Sequence, residues 1–203
     1  MKKGFLRCAA IAMLMVFLSV GSVFAADEAG KNFISNKVGV GYQGMVAGSF
    51  LNGISMRGWI GERVGLEANG FYGSVNTEIE EGGYGKSDFD ANLWLIEAKA
   101  MFAVVSRSYS KFYVGGKMGY GQINASGDSG YPMFEGIDGT SFLTPGVFIG
   151  SEWSFPQLPE VGFNFDVGYS WLLYDNKVNE DPYAYMKIGL SGISATFGIH
   201  YYF

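Results

Sequence analysis

The chain has 203 residues, which is enough for one domain of ordinary size. Its 31 glycines, 17 phenylalanines and 13 tyrosines, with only 16% charged residues, favour β-structure over helix. A formal net charge of −5 argues against a nucleic-acid partner, because phosphate binding requires clustered lysine and arginine.

The first 25 residues have the pattern of a secretory signal peptide. A positively charged stretch at residues 2–7 precedes the apolar run Cys8–Val20, whose 13 residues are too few to span a bilayer as a helix. We expect cleavage after Ala25 or Ala26. The remaining chain, residues 26–203, is predicted to form a single domain, and it contains no cysteine for disulfide or thiol chemistry.

From residue 37 onward, apolar side chains recur at every second position, which is the period of a β-strand. Eight stretches show this period: KVGVGYQG (37–44), the two arms of GISMRGWIGERVGLEANGFYG (53–73), NLWLIEAKAMFAV (92–104), KFYVGGKMGYGQ (111–122), TPGVFIGSEW (144–153), EVGFNFDVGYSW (160–171) and GISATFGIHYYF (192–203). They leave no room for a helix layer, so we predict an all-β fold, an eight-stranded antiparallel up-and-down transmembrane β-barrel.

Two local features qualify this strand pattern. The segment 39–44 matches G-x-G-x-x-G, but alternation runs straight through it, which predicts a strand rather than a dinucleotide-binding loop. Pro145 cannot donate to a hydrogen-bond ladder, so we expect it at the loop end of its strand.

The predicted connections alternate in length. Short turns are expected at 61–63, 106–111 and 155–160, and long polar loops at 74–90, 124–139 and 174–183, with a shorter connection at 48–52. Short turns at one end and long loops at the other are typical of an outer-membrane barrel.

Alternation alone allows either a soluble barrel with an apolar interior or a membrane barrel with an apolar exterior. The less apolar face combines many glycines with seven charged residues: Arg57, Glu67, Glu97, Lys99, Lys117, Glu152 and Asp166. A water-facing exterior would carry more lysine and glutamate, so we predict that this face lines a narrow lumen. The apolar face then contacts lipid, and aromatic residues near both strand ends predict two interfacial girdles.

The last strand places Phe197, Ile199, Tyr201 and Phe203 on the apolar face. With the signal peptide and eight alternating strands, residues 36–203 resemble the small OmpA/OmpX-type outer-membrane β-barrel proteins of Gram-negative bacteria. The resemblance implies a monomer in the bacterial cell outer membrane, with both termini periplasmic and contacts to outer-membrane lipids and lipopolysaccharide. It also implies that these four residues are read by the barrel-assembly machinery during insertion.

The lumenal charges are expected to pair, because isolated charges in a tight interior are costly. A three-residue turn at 61–63 places Arg57 directly opposite Glu67. A hairpin centred on Ser108 places Lys99 opposite Lys117, with Glu97 diagonal to both. The pairs are interpreted as a structural network that fills the lumen; the alternative is a salt-bridge gate in a narrow ion or small-solute channel.

An enzymatic function is not expected. The one histidine, His200, lies on the lumenal face, and the His-x-Ser arrangement of barrel lipid A deacylases is absent. Ser194 and Thr196 share that face, but no acidic residue lies beside them in sequence. No metal-ligand spacing occurs and no cofactor is expected. A lipid-modifying barrel enzyme is therefore the least favoured alternative.

The predicted long loops are rich in acidic residues: Glu78, Glu80, Glu81, Asp88, Asp128, Glu135 and Asp138. They can form a solvated outer surface, bind lipopolysaccharide phosphates through divalent cations, or contact another partner. Loops on a rigid scaffold commonly carry function. We therefore expect a structural or surface-interaction role mediated by the extracellular loops.

Overall fold

The computed structural model describes residues 32–46, 50–81, 85–127, 139–177 and 185–203. They form eight strands: β1 (Val38–Val46), β2 (Phe50–Ile60), β3 (Val64–Glu81), β4 (Gly85–Arg107), β5 (Ser110–Gly127), β6 (Thr140–Phe155), β7 (Leu158–Lys177) and β8 (Tyr185–Tyr202). Each strand pairs antiparallel with the next, and β8 pairs with β1, which closes the barrel. The predicted all-β, eight-stranded fold is confirmed. The predicted signal peptide lies outside the described residues.

The two faces of each strand have opposite environments, as the period of two predicts. In β2, the side chains of Ile54 and Ile60 are 78% and 63% exposed, whereas Arg57 and Trp59 between them are 0% and 2% exposed. Because the apolar residues lie outside and the charged residues inside, the exterior suits lipid rather than water. Among the described residues, no helix is long and apolar enough to cross a membrane.

The β4–β5 hairpin differs from its predicted geometry. Its turn contains two residues, Ser108 and Tyr109, rather than being centred on Ser108, because Arg107 pairs with Ser110. An irregularity in β4 between Ala103 and Val105 shifts the register by one residue. Lys99 therefore still pairs with Lys117, so the predicted opposition holds although the predicted turn is wrong.

The prediction of an unpaired polar loop over 74–90 is also wrong. Strand β3 continues to Glu81 and β4 begins at Gly85, with backbone pairing as far as Glu81 opposite Gly85. Strands β5 and β7 likewise continue to Gly127 and Lys177. A polar sequence does not end a β-ladder, because the hydrogen bonds between strands join backbone groups. The strands can therefore stay paired beyond the membrane, where neither of their faces has to be apolar.

Pro145 lies within β6 rather than at its loop end, which corrects the expectation above. It pairs with Met118 on β5, but the β6–β7 pairing passes from Leu143 to Gly146 without a partner for Thr144 or Pro145. Proline lacks the N–H that a central strand donates, so the ladder is interrupted beside it.

Four tyrosines form a ring on the outside of the barrel near the long-loop ends. Each lies on the first strand of a hairpin and donates its hydroxyl to a polar side chain of the second strand. The pairs are Tyr42–Asn52, Tyr72–Asn92 at 3.0 Å, Tyr120–Ser141 at 3.1 Å and Tyr169–Ser191 at 2.6 Å. Such rings are typical of a water–lipid interface. We call this set the tyrosine girdle.

A second aromatic band lies near the short turns. Trp153 and Phe163 stack with ring centroids 6.3 Å apart, and Phe155 contacts Phe163 edge-on. Between the short turn and the girdle, β3 runs from Val64 to Tyr72. Nine tilted residues rise about 20–25 Å, close to the apolar band of roughly 25 Å in outer-membrane barrels.

Candidate functional site: a buried charge network in the lumen

The lumen contains all seven charged residues that the strand pattern assigns to it. The structure buries Arg57, Glu67, Glu97, Lys99, Lys117, Glu152 and Asp166. They come from β2, β3, β4, β5, β6 and β7, so the closure of the barrel is what brings them together. We call them, with the hydroxyl and indole groups that bond to them, the lumenal network.

Arg57 is the first centre of the lumenal network. Its guanidinium forms a hydrogen-bonded ion pair with Glu67, its directly opposite partner in the β2–β3 pairing. The same guanidinium lies 3.3 Å from Oε2 of Glu152 and 3.7 Å from Oδ2 of Asp166, across the lumen. One planar cation with several donors thus joins carboxylates from three strands.

Lys99 is the second centre. Its ammonium lies 2.9 Å from Oε1 of Glu67 and 2.8 Å from Oδ2 of Asp166, and it donates to Oγ1 of Thr196 at 3.1 Å. Glu97 lies 3.8 Å away and links the cluster to Lys117 at 3.2 Å. The two lysines face each other in the β4–β5 pairing, and the carboxylates between them offset their repulsion.

Three aromatic side chains complete the network and were not predicted as part of it. The hydroxyl of Tyr113 donates to Oδ1 of Asp166 at 2.5 Å, and the hydroxyl of Tyr202 donates to Oε1 of Glu152. The indole Nε1 of Trp59 donates to Oε2 of Glu152 at 2.8 Å. Alternation places these residues inside, but only the closed barrel shows which carboxylate each one reaches.

Apolar layers lie on both sides of the network. Near the short turns, the lower layer consists of Ile34, Trp59, Met101, Ala103, Tyr113, Phe148 and Tyr202. Near the long-loop ends, the upper layer consists of Met45, Leu51, Phe71, Leu95 and Phe142, with Leu93, Ile123 and Leu172 packed against it. The charges are therefore enclosed between two apolar layers, a condition in which unpaired ions would be strongly disfavoured.

His200 contacts a serine that sequence proximity did not reveal. The Nε2 of His200 lies 2.8 Å from Oγ of Ser55 on β2. The two residues are far apart in the sequence, so the sequence pattern did not predict this contact. The Nδ1 of His200 has no hydrogen-bond partner among the described residues. A serine–histidine nucleophile normally requires a third group that orients the ring. Both side chains are also buried, so the pair is not an accessible catalytic site.

The C-terminal residues lie on the exterior of β8. Phe197, Ile199, Tyr201 and Phe203 are all exposed on the lipid-facing side, and the N–H of Phe203 donates to the carbonyl of Val38 at 3.0 Å. Their recognition by an assembly machinery remains an expectation.

The predicted acidic residues fall into two groups. Glu78, Glu80 and Glu81 lie on β3 and Asp88 lies on β4, where the backbone of Glu78 is directly opposite that of Asp88. The others, Asp128, Glu135 and Asp138, lie outside the described residues. No group of three or more histidine, cysteine or acidic side chains capable of holding a metal occurs in the part of the chain that the structure describes.

No protein-family model and no curated protein sequence matches the chain. Among solved structures, the outer membrane protein OprG from Pseudomonas aeruginosa matches with 11% identity and a TM-score of 0.49, over 88% of this chain and 99% of that one. OprH from P. aeruginosa has 14% identity and a TM-score of 0.45, over 82% and 99% of the two chains. Ail, the attachment invasion locus protein of Yersinia pestis, has 13% identity and a TM-score of 0.36, over 82% and 97%.

Because these identities and TM-scores are low, we assign the class of protein from the exterior and interior surfaces of the barrel itself. A closed antiparallel barrel with an apolar, aromatic-banded exterior and a filled, charged interior is a transmembrane β-barrel. The chain is an integral outer-membrane β-barrel protein of the small, eight-stranded type.

Proposed function

We propose that this protein has a structural or surface-interaction role at the cell surface and is not an open pore. The observation that carries the proposal is the filled lumen, in which paired charges lie between two apolar layers. An eight-stranded barrel has an interior just wide enough for side chains. An ion that crossed it would have to separate buried ion pairs and pass both apolar layers, each of which opposes hydration.

Recording from single proteins in planar bilayers tests this proposal. The expected result is no discrete conductance steps above those of the empty bilayer, for both the parent protein and Glu67→Gln. Steps in the parent whose open time or conductance changes in Glu67→Gln would instead support the narrow-channel alternative, in which the lumenal network is the gate.

The β3–β4 hairpin supports a role on the outer side of the membrane. It continues nine residues beyond Tyr72, from the tyrosine girdle to Glu81. Glu78 and Asp88 occupy directly opposite backbone positions in the ladder, and acidic residues at opposite positions are unfavourable without a counter-charge. A divalent cation bridging to lipopolysaccharide phosphates would provide that counter-charge.

Binding of purified lipopolysaccharide to the refolded protein, with and without Mg²⁺, tests this part of the proposal. Glu78→Gln combined with Asp88→Asn is expected to weaken Mg²⁺-dependent binding, whereas the matched change Glu160→Gln, near the short-turn end, is expected to have no effect. Equal binding by all three proteins would contradict a role for the hairpin.

A second candidate function is favoured by the interrupted β6–β7 ladder. The gap at Thr144 and Pro145 adjoins Phe142 and Leu172 of the upper apolar layer. The hydroxyl of Thr144, beside the gap, is buried without a hydrogen-bond partner in the described residues. Small apolar solutes that enter at the long-loop end could leave through this gap into the bilayer.

Uptake of a small apolar fluorophore by vesicles that contain the protein distinguishes this candidate. Pro145→Val restores a backbone donor and should slow uptake, whereas Pro156→Ala in the short β6–β7 turn should not. Equal rates for the parent and both variants would exclude passage through the gap.

A further inference from the structure

The residues that precede β1 form a short segment at the short-turn end of the barrel. The segment Asn32–Lys37 contains no strand, yet Asn32 and Ile34 are only 3% and 2% exposed. Such burial outside the barrel wall requires partners within the barrel mouth. We call this segment the strap.

One side of the strap is held by the end of β2 and by the β2–β3 turn. The N–H of Asn32 donates to both carboxylate oxygens of Glu62, at 3.1 and 3.3 Å. The N–H of Gly61 donates to Oδ1 of Asn36 at 2.7 Å, and the N–H of Trp59 donates to the carbonyl of Lys37 at 3.1 Å. These bonds hold the strap against β2 and the β2–β3 turn, next to β1, the strand into which the strap continues.

The other side of the strap is held by the β4–β5 turn. The N–H of Phe33 donates to the carbonyl of Ser108 at 3.2 Å. The side-chain amide of Asn32 donates to the carbonyls of Arg107 and, at 3.4 Å, Ser110. Since β5 is four strands away from β1 in an eight-stranded barrel, the strap crosses the mouth of the barrel.

The side chain of Ile34 fills the space between these two attachments. It belongs to the lower apolar layer, together with Trp59, Tyr113 and Tyr202. The same three aromatic residues donate to Glu152 and Asp166, so Ile34 lies directly below the lumenal network. Its removal would open this aromatic pocket towards the short-turn end.

A polar cluster surrounds Glu62 at the edge of the strap. Ser106 donates to Oε2 of Glu62 at 2.7 Å, and the ammonium of Lys111 lies 3.4 Å from the same oxygen while donating to Oγ of Ser35 at 3.1 Å. Burial by itself raises the pKa of the Glu62 carboxyl, but hydrogen bonds from Ser106 and Ser35, the Lys111 charge and the hydrogen bond from the backbone N–H of Asn32 outweigh burial, so the net pKa is lowered. The ionised carboxylate is therefore the form that holds the strap.

We propose that the strap is an intramolecular stopper that seals the lumen from periplasmic water. Short turns of outer-membrane barrels face the periplasm, so the strap closes the periplasmic mouth. The strap keeps the lower apolar layer dry, and this preserves the strength of the buried ion pairs above it, since water would weaken them. Its release would hydrate the network from the periplasmic side only.

The test uses Trp59 as an internal reporter of water access. The chain has four tryptophans, and Trp94, Trp153 and Trp171 are each changed to Phe so that only Trp59 fluoresces. Acrylamide, a water-soluble quencher, is added to the full barrel refolded in detergent micelles. Trp59 in this parent is expected to be nearly unquenched, because it is 2% exposed.

Two variants disturb the strap and two are controls. Ile34→Gly removes the stopper side chain and Asn32→Ala removes an attachment, and each should increase the Stern–Volmer quenching constant several-fold. Ile34→Leu keeps an apolar side chain, and Glu160→Gln changes a charge near the short-turn end of β7, outside the strap, so both should match the parent.

Quenching is measured only on protein that shows the heat-dependent shift of a closed barrel on an SDS gel. If Ile34→Gly does not fold, Asn32→Ala provides the measurement. Quenching constants for the disturbed, folded variants that equal the parent's would overturn the proposal, as would an equal rise in Glu160→Gln.

Discussion

Replacement of Arg57 by Met tests whether the lumenal network stabilises the barrel. Arg57 is fully buried, and its guanidinium contacts Glu67, Glu152 and Asp166. Methionine keeps an extended side chain but removes the positive charge. The ammonium of Lys99 already contacts Glu67 and Asp166, so it cannot neutralise all three carboxylates that Arg57 contacts.

The expected cost is large because the change leaves buried charge unpaired. Removing one partner of a buried ion pair typically costs about 3–5 kcal/mol. The same change at the exposed Arg107 should alter the free energy of unfolding by no more than about 0.5 kcal/mol. Adding Glu67→Leu to Arg57→Met should recover about 1 kcal/mol or more, because these residues are directly coupled.

The assay is equilibrium unfolding in guanidinium chloride of protein refolded in lipid vesicles, followed by tryptophan fluorescence and by the SDS-gel shift. A cost for Arg57→Met that is no greater than that for Arg107→Met would refute a stabilising network. Strict additivity of Arg57→Met and Glu67→Leu would show that the Arg57–Glu67 contact carries no coupling.

Three further predictions concern the two ends and the exterior of the barrel. The pKa of Glu62 is lower in the folded protein than in the unfolded chain, so the stabilisation of the strap by Glu62 is complete at pH values above the unfolded pKa and is lost as the pH falls through the folded pKa. Acrylamide quenching of Trp59 should therefore rise in acid, and the rise should be smaller in Glu62→Gln. Tyr72→Phe removes one girdle hydrogen bond and should lower the free energy of unfolding by about 0.5–1.5 kcal/mol, whereas unchanged stability would deny the bond any role. Phe203→Ala should reduce insertion in cells far more than refolding into vesicles, and an equal loss in both assays would contradict an assembly signal.

The face on which each strand residue lies could be predicted because side chains alternate between the two faces. Once one face is identified as apolar, every residue of the strand is assigned to one face or the other. Turn length then determines which lumenal residues oppose each other, as the Arg57–Glu67 pairing shows. The Lys99–Lys117 pairing was predicted from a turn of the wrong length. It holds because the bulge near Val104 offsets the one-residue error.

Features that depend on closure could not be predicted from alternation. The strap has no period, and its partners at Glu62 and Ser108 become neighbours only when the barrel closes. The contact between His200 and Ser55 likewise joins β8 to β2 across β1. The β3–β4 extension was mistaken for a loop because strands above the membrane need no apolar face.

Quenching by brominated lipid acyl chains tests the central claim, that the apolar face of this barrel contacts lipid and the charged face lines the lumen. Three proteins are compared, which retain Trp59, Trp153 or Trp171 and carry Phe in place of the other three tryptophans. Trp153 and Trp171, which are exposed outside the barrel, should be strongly quenched, and Trp59, which is buried in the lumen, should not. Quenching of Trp59 with protection of Trp153 and Trp171 would show that the faces are inverted and would contradict the account.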